Sequence, residues 1–232
     1  LGSYDPNNYL EVYDDAAAAL LENERDAALS LPETSDAYKA AIEQYKNDVA
    51  AARMAQWRNR CVSDGYEPGS TFKLITLASA LDSGAVTLND SFYCGGQEKF
   101  TGREQILNCW KSAGHGAQTT AQALGNSCNI AFGHIGLRMG GDTFYDYLKS
   151  FGVMEKTGVD LPGEASGLFY ERKYLNDPAN YGTSYLITSS FGQSFRITPM
   201  QLVRAVAAIV NGGYVLEPYI VSEVLDADGN TV

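Results

Sequence analysis

The sequence predicts a mainly α chain with a few short strands, on three observations. Stretches rich in Ala, Leu and Glu fill Val12–Leu29 and continue, after a break, from Ser35 or Asp36. Capped helix starts recur along the rest of the chain. Only the Gly-rich stretch Thr87–Gln118 and the segment Pro218–Leu225 read as β-like.

Ala, Leu and Glu are strong helix formers, so the first stretch is a helix that Ser30-Leu31-Pro32-Glu33-Thr34 ends. In the second, Tyr38, Ile42, Tyr45, Val49 and Ala52 recur at three or four residues and mark one helical face. Lys39, Glu43, Lys46 and Asp48 mark the other. The pair, residues 10–56, reads as a helical hairpin laid on the body of the protein. Gly65–Gly69 is a loop, and an apolar helix runs from Ser70 through Leu81. Thr119 or Thr120 caps a short helix to Gly125. Ile130–Met139 is helical, Gly140-Gly141 stops it, and Asp142 caps a further helix to Phe151. Thr198-Pro199-Met200-Gln201 combines an N-cap, a proline where no amide hydrogen is needed and a capping box. That helix ends at Asn211-Gly212-Gly213. Pro218–Leu225 alternates as a strand, which Asp226-Ala227-Asp228-Gly229 turns back.

The chain has 232 residues, 45% of them apolar, enough for one domain with a buried core. Lys+Arg number 17 and Asp+Glu 28, a net charge of −11. An acidic surface repels phosphate backbones and anionic lipid heads, which argues against nucleic acid as a partner. No apolar run reaches the roughly eighteen residues a membrane helix needs. Leu1-Gly2-Ser3 lacks a starting Met, so the chain reads as a piece of a longer protein. Cys61, Cys94, Cys109 and Cys128 form no CxxC, and no His stands at zinc-finger spacing, which argues against a metal site. Composition leaves open whether Cys94 and Cys109 form a disulfide or all four are buried free thiols.

Ser70-Thr71-Phe72-Lys73 is an S-x-x-K motif. Positions i and i+3 share a helix face, so the hydroxyl and the amine can meet. A serine hydroxyl needs a base to become a nucleophile, and a lysine can be that base when burial keeps its amine partly neutral. Ser127-Cys128-Asn129 is an S-x-N triplet between two helical segments, placed so that Ser127 and Asn129 face a cleft while Cys128 packs behind. Gly114-His115-Gly116 reads as a loop turn and His134 sits on an apolar helix. With a lysine available, neither is read as part of a Ser/His/Asp triad.

Together, S-x-x-K, an S-D-N-type triplet and K-T-G are the set of the penicillin-interacting serine enzymes. Tyr66-Glu67-Pro68-Gly69-Ser70-Thr71-Phe72-Lys73 resembles the nucleophile segment of class B penicillin-binding proteins. Ser127-Cys128-Asn129, Asp160-Leu161-Pro162-Gly163-Glu164, and Phe191-Gly192-Gln193-Ser194 leading into Thr198-Pro199-Met200-Gln201 are similar to further segments of that family. Tyr4-Asp5-Pro6-Asn7 resembles its turn after the first sheet strands, and residues 10–56 look like an insertion.

The resemblance implies the helical part of the α+β serine β-lactamase/penicillin-binding transpeptidase fold, with the central sheet largely absent from this chain. It implies peptidoglycan D,D-transpeptidation through a serine acyl-enzyme, with Ser70 as nucleophile and Lys73 as its base. Ser127 would relay a proton to the leaving group, Asn129 would orient the substrate amide, and the Ser70 N–H would be one oxyanion donor. Peptidoglycan stem peptides and β-lactam antibiotics are the implied ligands, and other wall-synthesis membrane proteins the implied partners. No cofactor is implied. The implied location is the extracytoplasmic face of a bacterial membrane, with the anchor outside this chain. In that compartment disulfides persist, so Cys94 and Cys109 are expected to pair, closing a loop worth about 3 kcal/mol.

Two departures bear on activity. Lys156-Thr157-Gly158 is the only K-T-G, and it directly precedes the Asp160–Glu164 segment, so it is expected to lie away from Ser70. The true third motif is expected beyond Val232, leaving this chain catalytically incomplete. The alternatives are a β-lactamase, for which the sequence shows no obvious deacylating glutamate but leaves Glu164 open, and a non-enzymatic penicillin-binding sensor or scaffold.

Overall fold

The computed structural model describes residues 8–177 and 182–232. The turn expected at Tyr4–Asn7 lies outside them. The chain divides into two compact units, Leu1–Arg60 and Cys61–Val232.

The first unit is a helical hairpin. α1 is Asp15–Leu29, and its N-cap Asp14 accepts a hydrogen bond from Ala17 N. α2 is Asp36–Trp57, capped by Ser35, which accepts from Tyr38 N at 3.0 Å. These caps satisfy amides that a helix start leaves without partners. The segment before α1 is tied to the last turns of α2. Arg53 Nε donates to Leu10 O at 2.6 Å, Gln56 Oε1 accepts from Tyr13 N, and Trp57 Nε1 donates to Tyr9 O.

The second unit is mainly helical, as its sequence predicts. The four-residue α3, Arg60–Ser63, leads toward a 3-10 turn at Gly69–Phe72 and then α4, Lys73–Asp82. Four short strands follow: β1 Ser91–Cys94, β2 Gln97–Glu98, β3 Leu107–Asn108 and β4 Gly116–Thr119. β1 pairs antiparallel with β4, Ser91 opposite Thr119 and Cys94 opposite Gly116; β2 pairs antiparallel with β3. α5 is Thr120–Gly125, capped by Thr119 in a full capping box with Gln122. α6 spans Asn129–Ser150, then come α7 Arg172–Leu175, α8 Gly182–Ser189 and α9 Pro199–Val210. Thr198 and Gln201 form the expected capping box of α9, with Pro199 in the first turn.

The core lies between α4, α6, α8 and α9. Phe72, Ile75, Ile130, Phe132, Ile135, Phe144, Leu148, Ile187 and Ile197 are fully enclosed. At about 1.5–3 kcal/mol for each large apolar side chain removed from water, this cluster is the dominant favourable term in folding the unit.

Three local expectations need correction. The apolar helix was expected to begin as α-helix at Ser70; its first turn is instead 3-10 and α geometry starts at Lys73. A second helical segment follows Gly140, but Asp142 is not its cap. Its carboxylate accepts side-chain bonds from Arg172 and Asn176 instead, while the expected stop at Gly140-Gly141 is present: Gly140 has φ 75° and ψ 159°, non-helical values that only glycine adopts freely, and it divides α6 into two helical segments. Pro218–Leu225 is not a strand. Among the described residues it finds no ladder, only a bridge between Leu225 and Thr231, while Asp160 takes up the amides of Ile220 and Val221 at 2.8 Å. An alternating pattern makes a strand only where an edge is there to pair with it. The turn after it does form, with Gly229 N bonded to Asp226 O.

Candidate active site

The turn carrying Ser70 is built by two segments far apart in sequence. Tyr66 and Ile197 exchange backbone bonds at 3.0 and 3.1 Å, and Gly69 N donates to Gly192 O at 2.8 Å. A Cβ on Gly192 would come within 2.1 Å of Gly69 O, so only glycine permits this approach. Glu67 accepts from Ser194 N at 2.9 Å, and the rings of Phe72 and Phe195 meet edge to face at 4.7 Å. The result presents Ser70 on the surface while Lys73, one turn on, is only 1% exposed.

Four residues singled out in the sequence come together. Lys73 Nζ donates to Ser70 Oγ at 3.0 Å, Ser127 O at 2.9 Å, Ser127 Oγ at 3.0 Å and Asn129 Oδ1 at 2.8 Å. An ammonium has three hydrogens for these four oxygens. A neutral amine fits differently. Its two hydrogens serve the pure acceptors Ser127 O and Asn129 Oδ1, and its lone pair is left for a hydroxyl hydrogen.

Burial pushes the Lys73 pKa down to about 8, partly offset by the neighbouring thiols of Cys109 and Cys128. Phe132 and Phe191 place their rings 5.5 and 6.0 Å from Nζ and supply much of that apolar wall. At neutral pH roughly a tenth of such an amine is unprotonated, against less than about one in a thousand for a free lysine. The arrangement can take a proton from Ser70 and hold the resulting cation.

Ser127 sits at φ 50°, a left-handed conformation that costs a serine energy. Neighbouring bonds hold it there: Ser127 N to Leu124 O, Cys128 N to Ala123 O, and the Lys73 amine on its carbonyl. Cys128 is fully buried and N-caps α6, accepting from Ala131 N at 3.5 Å.

Lys156-Thr157-Gly158 lies in an irregular segment with its lysine exposed. Glu164 accepts from Thr157 N and Oγ1 at 2.6 Å and from Gly158 N at 3.2 Å, while Arg204 donates to the Lys156 and Thr157 carbonyls. Burial opposes the charge on Glu164, but those hydrogen bonds prevail and hold its carboxyl below the usual range. Glu164 is thereby committed to bracing this connection. His134 bonds Glu98 at 2.8 Å and packs its ring, tilted, against Phe100.

The expected Cys94–Cys109 disulfide is absent; Cys94, Cys109 and Cys128 are buried thiols. The loop it was to order is held instead by the β2–β3 pairing, by Cys109 N bonded to Gly96 O and by His115 N bonded to Cys94 O. The thiols of Cys94, Cys109 and Cys128 and the imidazole of His115 converge, their ligand atoms all within 4.8 Å of one another. This is the group the sequence reading missed. It rejected a metal site on local spacing, whereas these residues meet through the β1–β4 pairing and the start of α6. Cys94, Cys109 and His115 in and around a Gly-rich stretch, with a third Cys inside the S-x-N triplet, was the available signal.

A helical body carrying a serine–lysine pair and an S-x-N triplet defines a serine acyl-transfer class of penicillin-interacting proteins. A family model described as the penicillin binding protein transpeptidase domain matches residues 16–232, and the chain belongs to that family. It is 44% identical over 170 residues to stage V sporulation protein D of Bacillus subtilis, covering 73% of this chain and 25% of that protein. It is 33% identical over 165 residues to the peptidoglycan D,D-transpeptidase MrdA of Acinetobacter baumannii, covering 70% and 25%. Among solved structures, penicillin binding protein 3 of Mycobacterium tuberculosis in complex with aztreonam superposes with a TM-score of 0.65 at 27% identity, over 75% of this chain and 37% of that one. The chain thus spans about a quarter of the length of these curated relatives.

Proposed function

We propose that this chain carries the serine–lysine part of a peptidoglycan D,D-transpeptidase, and that β-lactams acylate the same serine. The observation that carries the reading is the buried Lys73 amine bonded at once to Ser70, Ser127 and Asn129. Neutral Lys73 takes the Ser70 proton as Oγ attacks the carbonyl carbon of the penultimate D-Ala. The amide C–N bond then breaks, and terminal D-Ala leaves as a neutral amine with a proton relayed through Ser127. The ester formed on Ser70 is resolved by an amine of a neighbouring stem peptide, which regenerates the hydroxyl. Asn129 holds the Lys73 amine and orients the substrate amide, and the Ser70 N–H serves as an oxyanion donor.

Relatives named peptidoglycan D,D-transpeptidase support this substrate class. They also support an extracytoplasmic setting, since peptidoglycan lies outside the membrane; no helix among the described residues is long and apolar enough to cross one. A penicillin-binding protein of Helicobacter pylori forms a complex with MreC, a precedent for wall-synthesis partners. Residues 10–56, which fall in the separate helical unit, are read as an insertion. The commitment of Glu164 to Thr157 and Gly158 counts against the β-lactamase alternative.

The test is fluorescent penicillin labelling of the full-length protein, followed by mass spectrometry of the labelled peptide. A long-lived ester on Ser70, lost in Ser70→Ala, is expected. Labelling elsewhere, or steady nitrocefin turnover in place of a single burst, overturns the reading.

A further inference from the structure

We infer that Arg103, in a cavity shared with Gln105, Ser184 and Tyr185, binds a carboxylate on the peptide presented to Ser70, a few residues before the bond that is cut. The inference rests on the function proposed above and adds to it a residue that sets specificity.

The cavity holds about 280 Å³ and is lined by Arg103, Glu104, Gln105, Ser184 and Tyr185. Pockets that enclose a whole ligand hold about 300–1,000 Å³, so this one suits a side group rather than a whole molecule. Its frame is fixed by packing. Arg103 N donates to Phe100 O at 3.2 Å and closes a turn, and Gly102, at φ 78°, sets that turn against the start of α8. A Cβ on Gly102 would stand 2.9 Å from Thr183 Oγ1, so a side chain there would push the turn off the helix. Phe100, buried beneath the turn, packs on His134 of α6.

Arg103 is a cation without a counter-charge. Its Nε and Nη1 are buried and have no hydrogen-bond partner. Burial lowers its pKa with no neighbouring carboxylate to offset the effect, and Glu104 beside it in sequence is exposed to solvent. Buried N–H donors are almost always paired, and leaving them unmade costs stability that a bound acceptor returns. No bond holds the guanidinium against turning onto a ligand. Its planar fork matches the two oxygens of a carboxylate. Gln105 and Ser184 bring neutral donors to the same cavity, and Tyr185 brings an apolar wall, its ring stacked on Tyr170 at 4.0 Å.

Two routes join the cavity to Ser70. Tyr170 lies close enough to Glu67 to feel its charge, and Glu67 stands three residues before Ser70. On the other side, α8 advances ~8 Å from Ser184 to its end, and Gly192, just beyond, accepts the Gly69 N–H. A path of ~15 Å is about four residues of extended peptide. The chain's net charge of −11 opposes a carboxylate over most of its surface, so a local cation decides where an anionic peptide docks.

The test uses the full-length protein carrying Ser70→Ala, which binds peptide without consuming it. Two synthetic stem peptides ending in D-Ala–D-Ala are compared, one with a free carboxylate upstream of that pair and one with the same group amidated. Titration calorimetry should show the free acid binding about tenfold tighter, the order of one charge-assisted hydrogen bond. Arg103→Gln should remove the difference, and Arg103→Lys, which keeps the charge and loses the fork, should retain part of it. A merely structural role would weaken both peptides alike and leave their ratio standing; that result overturns the subsite. Equal affinities with Arg103 in place, or no binding of either peptide, also overturn it. If the Arg103 variants do not fold, the native arginine decides: the free acid should protect it from phenylglyoxal, read by mass spectrometry, and the amide should not. Equal protection overturns the subsite.

Penicillin labelling is scored separately, on protein with Ser70 intact. Labelling of Ser70 without a carboxylate preference sinks the subsite alone. A preference tied to Arg103 in a protein that penicillin never labels keeps the subsite and sinks the functional reading instead.

Discussion

α2 and α6 are both 22 residues long, and they are held by opposite means. α2 has no buried residue and is built from good helix formers, with a serine cap and a hairpin partner. α6 carries Gly133 and Gly136 within its helical turns, which cost a helix about 1 kcal/mol each relative to alanine. Yet α6 buries ten of its residues and presents Asn129 to Lys73 at its first position. Local propensity makes α2, and tertiary packing makes α6. The proposed chemistry draws on the helix whose position the rest of the fold dictates, because a hydrogen-bonded group must be held to a fraction of an ångström.

The sharpest way to break this contrast is to remove the group that α6 and α4 share. Lys73→Ala should lower the penicillin acylation rate by about 10²–10⁴-fold, the usual range for a positioned general base. Stopped-flow acylation within tenfold of wild type would mean that the amine is not the base. Next in size is Phe132→Ala. This fully buried ring on α6 fills the space beside the lysine, and its loss should cost about 3–5 kcal/mol in denaturant unfolding.

Gly136→Ala sets the two principles against each other. Propensity predicts a gain of about 1 kcal/mol. The new Cβ would lie 2.8 Å from Ser190 Cβ, an atom next to the backbone that cannot swing away. Packing therefore predicts a net loss of about 1–3 kcal/mol, and a raised midpoint would show that α6 yields more than its neighbours suggest.

The pH profile of acylation reads the same environment. Burial lowers the Lys73 pKa from 10.5 to about 8, so the neutral, reactive fraction grows as pH rises. Acylation should increase about tenfold per pH unit below ~7 and level off above ~8. A rise continuing toward pH 10 would mean an unperturbed lysine. The smallest effect belongs to α2: Ala50→Gly, at an exposed position, should cost at most about 1 kcal/mol and leave penicillin labelling unchanged.

Much of this was legible in sequence because it is local. The caps at Ser35, Thr119 and Thr198 were readable since a cap and the amide it serves are three residues apart. Ser70 and Lys73 were readable for the same reason, one helical turn separating them. The errors fall where a partner far along the chain decides. Pro218–Leu225 has the alternation of a strand and no ladder among the described residues. Asp142, expected as a helix cap, gives its carboxylate to Arg172 and Asn176 instead.

The sequence by itself determined which residues are proposed to carry the chemistry, because residue type and short spacing fix what a side chain can donate, accept or give up. Only the tertiary structure decided how those residues act. Burial between Phe132 and Phe191 sets the proton affinity of Lys73. The pairing of β1 with β4 gathers three cysteines and a histidine that no local pattern unites. Desolvation and convergence depend on what packs around a group, and that neighbourhood exists only once the chain has folded.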